Sequence, residues 1–229
     1  MRILNGQHTT RDLSGINAAH HEAPVWALLV PDILPRLTQA QIRLMGEVRG
    51  TEYLEAARAK GNGAVLLSAH YGTHGLIIEA VLAAYGWPLT SVHGEEATPI
   101  GQQEPDGSWL YRKLIHPMRR LPRSSVRVIT HGLVPDRQIA TVLRSNEILL
   151  LQGDMHVSRE EAAREHFSLP VPFLWGTAAF RSGPIRLAKM FKAPVLPAFG
   201  VRQGSRVIVE IEEPLTLTPG TSREDIAAD

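Results

Sequence analysis

"AVLLSAHYGTHGL", residues 64–76, is the stretch on which the fold turns. Ala64–Ala69 is a short, nearly continuous apolar run, the pattern of a strand buried on both faces. It stops on His70. Tyr71 and Gly72 follow, and Gly72 suits a tight turn there. An apolar helix is then expected over about 73–85, stopped by Gly86, with His74 four residues after the first histidine.

The same alternation continues on either side. Upstream, "GNG" at 61–63 ends a helix over 51–60 that Thr51 can cap, and Leu37, Ile42, Leu44 and Met45 suggest another over roughly 34–47. Downstream, "PLTSVH" is a strand ending at His93. A polar loop over about 94–107 and a helix over about 108–120 follow, then a short strand "VRVI" at 126–129. A helix over about 135–145 precedes "EILLLQGD", a strand ending at Asp154. A loop and a helix over about 177–191 lead to the strand "APVLPAFG". "RVIVEIEE" alternates most cleanly and suggests an edge strand. Strands alternating with helices imply an α/β fold, a mostly parallel central sheet flanked by helices. Ligands of such sheets sit beyond the carboxyl ends of the strands, where His70, His93 and Asp154 fall.

The 229 residues are 44% hydrophobic and 21% charged, enough for one globular core. The expected division is an irregular lead-in over 1–32 and one α/β domain over 33–229. Without cysteine there is no disulfide, thiolate zinc site or cysteine nucleophile. Ala23–Leu34 is too short for a membrane span and is broken by Pro31 and Asp32. No charged start and cleavage site frame it as a signal peptide. A cytosolic or membrane-peripheral protein is expected.

Six of the 24 Lys and Arg lie between Tyr111 and Pro135, with no acid among them, leaving 18 against 23 acids elsewhere. A basic surface on a mildly acidic body suits an anionic partner: phosphate, a membrane surface or nucleic acid. The plainer alternative is a solvated helix face. Tyr111 is the one aromatic residue of that stretch, which gives little for bases to stack on, so no nucleic-acid partner is expected.

Motifs narrow the chemistry. There is no G-x-S-x-G elbow, no Walker loop and no G-x-G-x-x-G. His70 and His74 have i, i+4 spacing, but His70 sits at a strand end and the glutamate of H-E-x-x-H is missing, so no metal is expected. A lone histidine at a strand end is more often structural than catalytic.

Three blocks change that balance. "GTEYLEAARAKGNGAVLLSAHYGTHGL", "ILLLQGDMH" and "LPVPFLWGTAAFRSGPIRLAKMFKAPVLPAF" resemble, in order and spacing, those of the bacterial lipid A late acyltransferases. These belong to the lysophospholipid acyltransferase superfamily, with the phosphatidylinositol mannoside acyltransferases as close relatives. The resemblance covers roughly 47–215. It implies a glycerolipid acyltransferase-like fold and transfer of an acyl chain from an acyl carrier protein or acyl-CoA thioester to a lipid hydroxyl. His70 would be the general base, a task that suits an imidazole's ordinary pKa near 6.5. It further implies no cofactor beyond the co-substrate thioester, and a peripheral location at the cytoplasmic face of the bacterial inner membrane. Arg119 and Arg120 would bind phosphate of acceptor or carrier, Asp154 would anchor the site, and Phe173 and Gly176 would shape the acyl or acceptor groove. The family's usual membrane helix at the start and helical region after the last strand are not visible, so the domain is open to truncation at its C-terminal end.

One departure bears on mechanism. The family motif places Asp or Glu five residues after the histidine, to orient the imidazole and stabilise its protonated form. Here that residue is Gly75. Glu79 lies on the same helix face one turn on, about 6 Å along the axis, and is one substitute. Glu95 or Glu96 is another, and the absence of any partner is a third possibility. The plain alternative for Glu79 is a helix-edge charge satisfied by an arginine. His74 is either a second polar group in the pocket or a filler of the turn. A non-catalytic relative that binds lipid or acyl carrier protein is the rival function.

Overall fold

The structure, a computed structural model, describes residues 33–69, 74–94, 126–131, 137–154, 168–173 and 176–228. The lead-in over 1–32, the expected helix over 108–120 and the loop over 94–107 beyond Gly94 lie outside them. After a short 3-10 turn, Leu34–Arg36, come α1 (Gln39–Met45), β1 (Gly46–Arg49), α2 (Thr51–Arg58), β2 (Ala64–Ser68), α3 (His74–Ala84) and β3 (Leu89–Gly94). Then follow β4 (Val126–His131), α4 (Arg137–Arg144), β5 (Ile148–Gln152), β6 (Ser168–Phe173) and β7 (Gly176–Arg181). The last elements are α5 (Gly183–Phe191), β8 (Val195–Gln203), β9 (Arg206–Ile211) and α6 (Arg223–Ala228).

Seven strands form one sheet in the order β1-β9-β8-β2-β5-β3-β4, parallel throughout except for the antiparallel β8–β9 pair. The α/β class and mostly parallel sheet expected from the sequence are present. Burial explains why the central strands read as unbroken apolar runs. On β2, Leu66 packs into the cluster with α1, α2 and α3, while Val65 packs into the cluster with α4 and α5. On β5, Ile148 and Leu150 join the first cluster and Leu149 and Leu151 the second. Successive side chains point to opposite faces, and both faces are covered by helices.

Four local expectations are corrected. The helix expected over 34–47 is shorter: Thr38 and Gln41 form a capping box that starts α1, and the chain becomes extended at Gly46. Gly46–Arg49 is a strand, β1, which pairs with β9 from Gly46↔Val207 to Arg49↔Glu210. β9 is therefore an inner strand and not an edge. Thr51 does not cap α2. Gly50 does, at φ +74°, and a Cβ there would lie 1.9 Å from the Ile211 carbonyl oxygen, so the site demands glycine.

The fourth correction matters for the site. The helix expected from about 177 begins at Gly183, because 176–181 is β7, paired antiparallel with β6 from Ser168↔Arg181 to Phe173↔Gly176. Pro170 and Pro172 argue against a strand in a wide sheet. They lie two apart, on the same side of a two-stranded ribbon, where an open edge asks for no amide donor.

Candidate functional site

β2 and β5 run side by side to the same level. Ser68 pairs with Gln152, and the Gly153 N–H donates to the Ser68 carbonyl at 2.9 Å. The approach is close enough that a Cβ on Gly153 would meet Leu67 Cδ1 at 2.9 Å. Asp154 follows, half-buried, and Ala69 ends the described part of the β2 side. His70 is the next residue in the chain and lies outside the described residues, as do Arg119, Arg120, Glu95 and Glu96.

A cavity of about 420 Å³ opens against these strand ends. Ser68, Ala69, Gly153 and Asp154 form one side. The base of the β6–β7 hairpin contributes Leu169, Val171, Phe180 and Arg181, and the start of α5 contributes Ser182, Pro184 and Ile185. Leu67 of β2, Pro197 and Phe199 of β8 and Ile226 and Ala227 of α6 complete it. The lining is mostly apolar, with its polar groups on Ser68, Asp154, Arg181 and Ser182. Size and character suit a small organic ligand with a large apolar part and a polar end.

Glu79 has a different setting. It is 2% exposed on α3 and accepts a 2.5 Å hydrogen bond from the Ser91 hydroxyl of β3, itself 3% exposed. Ser91 is level with Leu150, and Leu150 with Leu66. The Glu79–Ser91 pair thus sits two residues below Ser68, about 7 Å down from where β2 ends. This bond ties the acid to a serine across the helix–sheet interface.

The remaining expected residues fall as follows. His74 and Gly75 are the first two residues of α3. His93 is next to last in β3, in register with Thr130 of β4. Phe173 and Gly176 face each other at the tip of the hairpin whose base walls the cavity, and Gly176 is exposed with open space where a Cβ would point. Asp154 is thus brought to the cavity beside the residue preceding His70. Glu79 lies below that edge.

Sequence patterns did not reveal Arg181, Ser182, Ile226 or Ser91. Arg181 and Ser182 could have been found from "AAFRSGP", where Gly183-Pro184 marks a helix start and so places the two residues before it at a junction. Ile226 carries no local signal, since its role comes from tertiary packing. Among the described residues no group of His, Asp and Glu is arranged to hold a metal ion, and no helix is long and apolar enough to cross a membrane. The chain matches no protein-family model, and no curated protein matches it.

Proposed function

We propose that this protein transfers a fatty acyl chain from an acyl thioester, on acyl carrier protein or coenzyme A, to a hydroxyl of a membrane glycolipid or phospholipid. His70 takes the hydroxyl proton, and the alkoxide oxygen attacks the thioester carbonyl carbon. The tetrahedral adduct collapses with cleavage of the C–S bond, and the imidazolium returns its proton to the leaving thiolate. Asp154 anchors the polar edge of the site. Arg119 and Arg120 hold phosphate and draw the protein to an anionic membrane surface, and His74 is a second polar group near the base. Glu79 acts as a positioning residue, fixing α3 against β3.

The observation that carries this reading is the mostly apolar cavity that opens at the carboxyl ends of β2 and β5, one residue short of His70 and beside Asp154. An acyl chain matches its apolar walls, and the reacting carbonyl matches its polar edge. One experiment tests it: turnover of acyl thioesters by wild type and His70→Ala. The variant is expected to fold normally and to lose about 10²–10⁴ in rate. An unchanged rate in a folded variant would remove His70 as the base. A second reading is favoured by Gly75, which occupies the first turn of α3 where the resemblance implies an acid. A relative without catalysis would bind lipid or acyl carrier protein tightly and turn over no thioester.

A further inference from the structure

The walls of the cavity differ in chemistry. Its hydroxyl and charged groups come from the ends of β2 and β5 and from the junction of β7 with α5. The C-terminal helix α6 contributes Ile226 and Ala227, both apolar. We infer that Ile226 is the stop that sets the length of the alkyl chain this cavity accepts, an inference that rests on the acyl-transfer reading. Apolar side chains of β6, β7, β8 and the start of α5 line the rest, so a single-chain amphipath is satisfied with its head at the polar groups and its tail among the apolar ones. Its polar end lies by Asp154 and Arg181, where hydrogen bonds replace lost water, and its terminal methyl lies against α6.

A length stop has to be rigid, and α6 is tied down just before Ile226. The Lys189 ammonium of α5 donates to the Thr218 hydroxyl and to the Asp225 carbonyl, each at 3.3 Å. The Thr218 hydroxyl donates to the same carbonyl at 2.8 Å. Ser222 and Asp225 exchange hydrogen bonds, Ser222 N–H to Asp225 Oδ2 at 3.0 Å and Asp225 N–H to Ser222 Oγ at 3.1 Å. The Ile226 N–H donates to the Ser222 carbonyl at 3.1 Å. Ile226 itself is 6% exposed. Side chains locked by such supporting contacts discriminate shape better than those on a loose loop.

The test uses the full chain and a series of saturated fatty acids of increasing length, with binding read by competition against a fluorescent fatty acid. Ile226→Ala removes three side-chain carbons, so the best-bound length is expected to rise by about three carbons. The longest bound chain should gain about fivefold or more. Ala227→Leu keeps a strong helix former and fills the same end, so it should shorten the best-bound length. It keeps the inference open to refutation if Ile226→Ala unfolds, which circular dichroism would reveal. A length profile identical to wild type in the folded variants overturns the inference, and so does a wild type that binds no member of the series. The acyl-transfer reading is judged separately, by thioester turnover in His70→Ala.

Discussion

Asp154 and Glu79 are both carboxylates on elements that pack around the sheet centre, yet they meet different surroundings. Asp154 follows the end of β5, half-buried, on the rim of a 420 Å³ cavity. Glu79 lies under α3, 2% exposed, held by Ser91 at the level of Leu66. Height along the strands separates them. An acid at the strand ends lines the cavity, whereas one two residues lower is enclosed by helix and sheet. Spacing along the sequence does not reveal this, because one helical turn from Gly75 is a small step in the chain but a descent into the core.

The largest difference is expected at the rim. Asp154→Asn keeps the shape and removes the charge, so hydrogen bonds that a bound substrate donates to this carboxylate are weakened, each worth about 1.5–3 kcal/mol. Turnover should fall by about tenfold to a hundredfold, with the melting temperature nearly unchanged. A drop in melting temperature with wild-type turnover would make Asp154 a structural acid and erase the contrast with Glu79.

Below the rim the expected effect moves from rate to stability. Ser91→Ala takes a donor from a buried carboxylate, which costs about 1–3 kcal/mol. For a chain of this length that is about 2–12 °C in the melting temperature. Turnover per folded molecule should change less than in Asp154→Asn. If Ser91→Ala melts like wild type but turns over poorly, the buried pair belongs to the chemistry and not to the scaffold.

The sheet was legible where one strand's own pattern decides its state. β2, β5 and β8 carry apolar side chains toward two covered faces, and their strand ends pointed to Asp154. β1 was hidden because four residues, two of them Glu47 and Arg49, carry too little pattern to separate a strand from a helix tail. β6 was hidden by its prolines, which a wide sheet would reject and a two-stranded ribbon accepts. Since the hairpin and α6 supply much of the cavity wall, the position of the site could be anticipated but not its shape. The Ser91–Glu79 bond was equally out of reach. It joins a helix to a strand, and nothing in either segment alone marks the pairing.

The smallest effect decides most about Glu79. Gly75 is the second residue of α3, so replacing it by Glu removes a glycine from the first helical turn and narrows the freedom of the unfolded chain, worth about 0.4–1 kcal/mol. It also sets a negative charge at the helix N-terminus, worth about 0.3–1 kcal/mol. Gly75→Glu should therefore melt slightly higher than wild type, and it restores an acid five residues after His70. Turnover is expected to rise by a few-fold, since a carboxylate there can stabilise the imidazolium formed during proton abstraction. The informative comparison repeats the change in Glu79→Gln, whose amide oxygen can still accept from Ser91. If Glu79 only positions α3, the gain from Gly75→Glu should be the same in both backgrounds, because the two sites act independently. A much larger gain in the Glu79→Gln background would mean that Glu79 already serves the imidazole in the wild type, from about 7 Å below the end of β2. Measuring turnover and unfolding for all four proteins separates these outcomes, since a change in stability alone would leave the rate per folded molecule unaltered.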